Sequence, residues 1–260
     1  MPSLVDLAFG QLPLCTFLLV TARVAGLALG APILSGVQVP LTTRTLLTLA
    51  LSLVLTPTQL SSPASVPPQL ADLAVMGAGE VLVGFAIGLG ATIVLAALQM
   101  AGGVIAQMSG LSLAEAFDPD SGAATPILSQ FLTIFAIVVF VICGGHRLLV
   151  EGLLESFVAL PLGKATVGLE LVSALVTLVG DGFGLALRVA APGMASVLIA
   201  TIGMAMLARS LPQLSMMSLG VGANVLAALG GLWISLGGIA WLLHDQLQSA
   251  LEHLLDNMTS

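Results

Sequence analysis

Long apolar runs separated by short turn-rich links set the pattern of this chain. The first run extends from Leu12 to Leu34 and is interrupted by Arg23, and a link from Ser35 to Pro40 leads to a second run, Leu41 to Leu55, that Pro57 ends. The Ser- and Pro-rich stretch TQLSSPASVPPQ then reads as an exposed loop. A long run from Leu70 to Leu98 carries Glu80, and Ile127 to Cys143 is almost wholly apolar before Gly144 and Gly145 break it. Arg147 to Leu160 reads as an amphipathic continuation. Leu169 to Ala191 is a further run containing Asp181 and Arg188. Pro192 and Gly193 are expected to kink or divide it from Met194 to Leu207, because proline removes a helix hydrogen bond. Leu214 to Leu243 is the last long run. In the tail, residues 244 to 260, Leu247, Leu251, Leu254 and Leu255 recur at helical spacing with polar residues opposite, predicting an amphipathic helix. No alternation of strand type and no repeat stands out, so the predicted fold class is all-α, a multi-helix integral membrane protein forming one helical domain over residues 1 to 260.

Composition sharpens this. Hydrophobic residues make up 58% of the 260 residues and charged residues 7%, against about 25% charged in a soluble domain. Such a chain cannot cover itself with a solvated surface. Spanning helices need about 20 apolar residues each, so about five to seven would fit. Nothing positive precedes the first run, and the chain is expected to keep its N-terminus rather than lose it as a signal peptide. A net charge of −7 with six Lys and Arg provides no basic stripe for nucleic acid. Cys15 and Cys143 stand 128 positions apart in apolar runs, without zinc-ligand spacing, and read as small buried hydrophobes. There is no Tyr, and Trp233 and Trp241 both fall in the last run. Ordinary multi-span proteins carry aromatic belts at both interfaces, so their near absence suggests a surface that meets other protein.

Arg23, Glu80, Asp181, Arg188 and Arg209 lie within or at the ends of apolar runs. A charge at the bilayer centre costs about 2.5–3.5 kcal/mol on insertion scales, so such residues face a partner, a cavity or an assembly. They fit either buried pairs that fix packing or a proton or ion pathway, and Glu80, with no base near it in sequence, is the better proton carrier of the group. Asp181 and Arg188, seven apart, can share a face. Gly26/Gly30, Gly84/Gly88 and Gly180/Gly184 each make a GxxxG, the spacing that lets helix backbones approach closely. His146 reads as a polar residue at a helix boundary, with titration or ligation as the sharper alternative. No nucleophile elbow, P-loop or dinucleotide fingerprint occurs, and the chain reads as non-enzymatic and without a cofactor.

The segment Gln99 to Pro126, QMAGGVIAQMSGLSLAEAFDPDSGAATP, is the anomaly, since it mixes Gly, Ser, Met and Leu with Glu115, Asp118 and Asp120 between two oily blocks. It fits a plain extramembrane loop. It also fits a gate: Gly102, Gly103, Gly110 and Gly122 allow sharp bends, and irregular backbone at membrane depth is tolerated where protein or a water-filled cavity surrounds it.

The block RVAGLALGAPILSGVQVPLTTR from Arg23 to Arg44 resembles the FliR family of flagellar export-gate proteins, which includes the matching subunit of virulence type III secretion systems. The resemblance continues in order through Glu80, Gly84 and Gly88, GGVIAQMSGLSLAEAFDP (102–119), GGHRLL (144–149) with Ser156 and Phe157, and RSLPQ (209–213), covering nearly the whole chain. The chain departs where Ser215 stands in place of a frequent Asn, and it carries fewer charges than a typical member. The resemblance implies a single-copy subunit of a conical helical gate in the bacterial inner membrane, at the centre of the flagellar basal body. Its implied partners are membrane subunits of the FliP and FliQ families, the substrate-switching subunit of the FlhB family, exported unfolded proteins, and membrane lipid. It implies that the loop over residues 102–124 plugs the pore, with Gly110, Leu111, Ser112, Leu113, Phe117, Asp118 and Pro119 as its carried-over residues. Arg23, Glu80, His146, Asp181, Arg188, Arg209, Pro212 and Gln213 are the expected buried polar or assembly positions. The rival reading is a secondary transporter or ion channel with Glu80 and Asp181 as coupling carboxylates and a helix broken at Pro192.

Overall fold

The computed structural model describes residues 11–32, 39–60, 70–112, 126–163, 169–210 and 216–259. Among them are seven helices and no strand: α1 (Gln11–Gly30), α2 (Leu41–Gln59), α3 (Leu70–Ser109), α4 (Ile127–Ile142), α5 (Gly145–Ala159), α6 (Leu169–Ser210) and α7 (Met216–Thr259). The protein is therefore all-α. Among the described residues three helices are long and apolar enough to cross a membrane, or four if α4 and α5 count as one broken span. This is fewer than the about five to seven that the amount of apolar sequence allows, because two runs fuse in α6 and neither α1, a shorter apolar helix, nor α2 qualifies as a span. Leu70–Leu98 continues without a break to Ser109. Pro192 lies inside a continuous α6, so the expected division there does not occur. The carbonyl of Pro192 and the side chain of Ser196 lie where a Cβ on Gly231 would stand. A close helix contact thus lies at the proline and the turn after it, and tertiary packing outweighs one lost hydrogen bond.

By their internal contacts the residues group into two compact units, each described in turn. The first comprises residues 1–93, 144–179 and 247–260. Here α1 and α2 pack together. Along α2 the hydroxyls of Thr48, Ser52 and Thr56 each donate to the carbonyl four residues earlier, at 2.8, 2.7 and 2.6 Å, so these buried polar side chains are satisfied within their own helix.

Two of the three GxxxG pairs meet one another in this unit. Gly26 and Gly30 of α1 lie against the backbone of Val81 and Phe85, and Gly84 and Gly88 of α3 lie against that of Arg23 and Ala31. A Cβ on Gly30 would sit 2.6 Å from the Phe85 carbonyl oxygen, and one on Gly88 would sit 2.6 Å from the Ala31 nitrogen. Real Cβ contacts do not come so close, so only glycine permits this crossing. Thr92 adds a hydrogen bond from its hydroxyl to the Gly30 carbonyl at 2.6 Å, satisfying an acceptor left open at the end of α1. The C-terminal tail is helical to Thr259, with Leu247, Ala250 and Leu254 buried and Glu252 and His253 exposed, as an amphipathic pattern requires. Leu254 reaches Gly90 of α3.

The second unit comprises residues 94–143 and 180–246. Ile105, Leu132, Phe140, Val189 and Leu232 are among its buried side chains. Gly102, expected to bend a loop, is instead in the last turns of α3. There it lets α4 approach, since a Cβ would lie 2.6 Å from the Cα of Ser129. Gly110, at φ +80°, ends α3, and its N–H donates to the Gln107 carbonyl at 3.3 Å.

Candidate functional site

In the first unit, Arg23 and Glu80 form a fully buried ion pair, with Nε donating to Oε2 at 2.6 Å. The α1/α3 glycine crossing brings their two helices close enough for this contact. Helix α5 and the turn after it complete the shell. Arg23 Nη1 donates to the Ser156 carbonyl at 2.8 Å and to its hydroxyl at 3.2 Å, and Nη2 donates to the Leu160 carbonyl at 2.9 Å. The Ser156 hydroxyl in turn donates a hydrogen bond to the Leu153 carbonyl at 2.7 Å. The second carboxylate oxygen of Glu80 accepts from the Gly163 amide at 2.8 Å. The Phe157 ring closes one side, its centroid 4.4 Å from the guanidinium carbon.

Both charges are thus paired and hydrogen-bonded, the condition under which buried charges are tolerated. The cluster ties α1, α3, α5 and the 160–163 turn at one point. Its chemistry is that of a clamp: the carboxylate has a base at hydrogen-bond distance, contrary to the expectation that Glu80 stands alone. Ser156, Leu160 and Gly163 were not foreseen as members. Leu160 and Gly163 contribute backbone groups only, which no side-chain pattern announces, and only the φ of +81° at Gly163 marks that position as requiring glycine.

The other expected polar positions do not join this cluster. His146 is exposed in the first turn of α5, beside the exposed Arg147–Glu151 pair at 2.7 Å. Asp181, Arg188 and Arg209 are exposed on α6, and no ion pair joins Asp181 to Arg188. Pro212 and Gln213 lie outside the described residues, as do Leu113, Phe117, Asp118 and Pro119 of the expected plug. Gly110, Leu111 and Ser112 are described, at the end of α3 and just after it.

In the second unit a cleft of about 560 Å³ is lined by Met100, Gly103, Val104, Gln107 and Ser112 on one side and Phe183, Ala186 and Leu187 of α6 on the other, with Pro126 at its edge. It is apolar apart from Gln107 and Ser112, and it suits contact with another apolar surface rather than a reaction. Among the described residues no group of three His, Cys, Asp or Glu side chains could hold a metal ion.

Residues 14–250 match the family described as bacterial export proteins, family 1. The chain is similar to the flagellar biosynthetic protein FliR of Caulobacter vibrioides, 24% identical over 90% of this chain and 93% of the relative. It is similar to the protein of that name from Escherichia coli, 30% identical over 80% of this chain and 81% of the relative. The one from Aquifex aeolicus is 27% identical over 90% of each chain.

Proposed function

Because the chain belongs to the bacterial export proteins of family 1, we propose that it is a component of the flagellar protein export apparatus. Within it, the chain serves as a single-copy, non-catalytic subunit of a type III export gate in the inner membrane. It assembles there with subunits of the FliP, FliQ and FlhB families and surrounds the path of unfolded flagellar proteins. The observation that carries this reading is the similarity to proteins named flagellar biosynthetic protein FliR over 80% to 90% of the chain. The residues from Gly110 to Pro119 act as the pore plug, with Leu113 and Phe117 sealing a narrow channel by apolar packing.

The rival transporter reading loses its supports. Glu80 is held by Arg23, Asp181 is exposed rather than lodged in a core, and α6 runs unbroken through Pro192. The deciding experiment is a mild-detergent purification of the tagged chain from its native host with mass spectrometry of what accompanies it. Recovery with small membrane subunits and basal-body proteins is expected. Recovery alone, with solute transport by the purified chain, would overturn the proposal.

A further inference from the structure

The buried ion pair joins two helices that are not equally suited to a membrane. Helix α3 is long and apolar enough to cross one even with Glu80 in it, whereas α1 is a shorter apolar helix with Arg23 near its middle and does not qualify. The two charges also differ in kind. A carboxyl group can enter an apolar layer as the neutral acid, but a guanidinium keeps its proton there. The faces of α1 are divided accordingly. Leu14, Leu18 and Leu29 are exposed on one side, while Arg23 is buried on the other with Leu19, Val20 and Leu27. Each group that Arg23 bonds lies later in the chain: the Glu80 carboxylate on α3, then Ser156 and the Leu160 carbonyl at the end of α5. Helix α5 has no basic residue in its own last turn. A helix C-terminus favours a cation, and Arg23 supplies it from α1.

We infer that α1 is a dependent helix, which enters the membrane as the partner of α3 rather than alone. Glu80 supplies the counter-charge and α5 the carbonyls that make Arg23 acceptable to an apolar interior. The crossing of Gly26 and Gly30 with Gly84 and Gly88 brings the two charges into reach as the helices meet. The first helix of the fold is therefore secured only after a helix made later has arrived. This dependence runs one way. Removing the acid strands the arginine, and α1 with it. Removing the arginine leaves an α1 without charge, which can enter by itself. A pair that acted only through packing would be equally sensitive at both ends.

The chain has two cysteines, and Cys15 of α1, 9% exposed, reports on this helix directly. A maleimide attacks as the thiol ionises, which happens in water and not in lipid or a packed core. The full chain carrying Cys143→Ser is made in its native host, and opened membranes are treated with a polyethylene-glycol maleimide, the labelled fraction being read as a gel shift. Glu80→Leu should raise the labelling of Cys15 tenfold or more. Arg23→Met, and Arg23→Met combined with Glu80→Leu, should stay within twofold of the parent. Labelling chains shortly after synthesis keeps variants that are later degraded in the comparison, and Glu80→Gln, which preserves the shape of the side chain, should act in the same direction as Glu80→Leu. Cys143, which caps α4, is read alone in a Cys15→Ser chain and should not respond to Glu80→Leu. Equal rises for Glu80→Leu and Arg23→Met would overturn the inference. So would no rise with Glu80→Leu, or a matching rise at Cys143.

Discussion

Glu80 and Gly163 are joined by a 2.8 Å hydrogen bond from the glycine amide to the carboxylate, at a backbone angle of φ +81° that side chains resist. A turn outside the helices thereby completes the coordination of a charge inside them. Gly163→Ala should cost about 1–2 kcal/mol from the left-handed backbone alone and more if the amide is turned from the carboxylate. Gly144→Ala, at φ +74° with open space for a Cβ, isolates the backbone part. Thermal unfolding in detergent should rank Gly163→Ala as the more damaging of the two. Equal losses would mean that the bond to Glu80 contributes nothing.

The ion pair predicts strong non-additivity. Arg23→Met or Glu80→Leu alone leaves an uncompensated buried charge and should destabilise by about 3–5 kcal/mol. The double variant removes both charges and should be less damaging than the sum of the two. The readout is folded yield and melting temperature for the four members of the cycle. A double variant that simply adds the two losses would show that the charges do not depend on each other.

Glycine at the α1/α3 crossing is required by distance. Gly84→Ala drives a methyl group into the Arg23 carbonyl, and overpacking of this kind costs about 1–3 kcal/mol, with rigid backbone as the obstacle placing it at the upper end. Gly77→Ala, on the same helix with nothing within 4 Å, should be neutral or slightly stabilising. The pair can be compared by accumulation in the membrane fraction. Similar levels for both would contradict the close crossing.

If the proposed plug seals the pore, then removing its apolar side chains opens it. Leu113→Ala combined with Phe117→Ala should raise ion leak in cells that express the gate without impairing accumulation of the chain. An unchanged conductance would exclude these two residues from the seal.

Much of the helical order was legible because apolar runs of this length have one stable form in a membrane. Arg23 and Glu80 were visible as misplaced charges, yet their pairing was not. They stand 57 positions apart on different helices, and nothing in local periodicity relates α1 to α3. The glycine pairs that juxtapose them were visible as motifs, but a GxxxG does not say which other GxxxG it meets. Pro192 and Gly102 misled for one shared reason: local preference for a break was outweighed by close helix packing at Gly231 and Ser129. Asp181 and Arg188 share a face as their spacing suggested, but the space before them is open.

Helix α6 bears exposed apolar side chains from Val172 and Val176 near its start to Met206 and Leu207 near its end. At 1.5 Å per residue this greasy track is about 50 Å along the helix contour, while the hydrocarbon layer is about 30 Å thick. Tilt alone would have to exceed about 50° to immerse it, beyond the 0–40° range that membrane helices adopt. Lipid therefore runs out before the helix does. Even at 40° of tilt about a fifth of the track lies beyond the hydrocarbon, and in the proposed gate neighbouring subunits would be the solvent for that stretch.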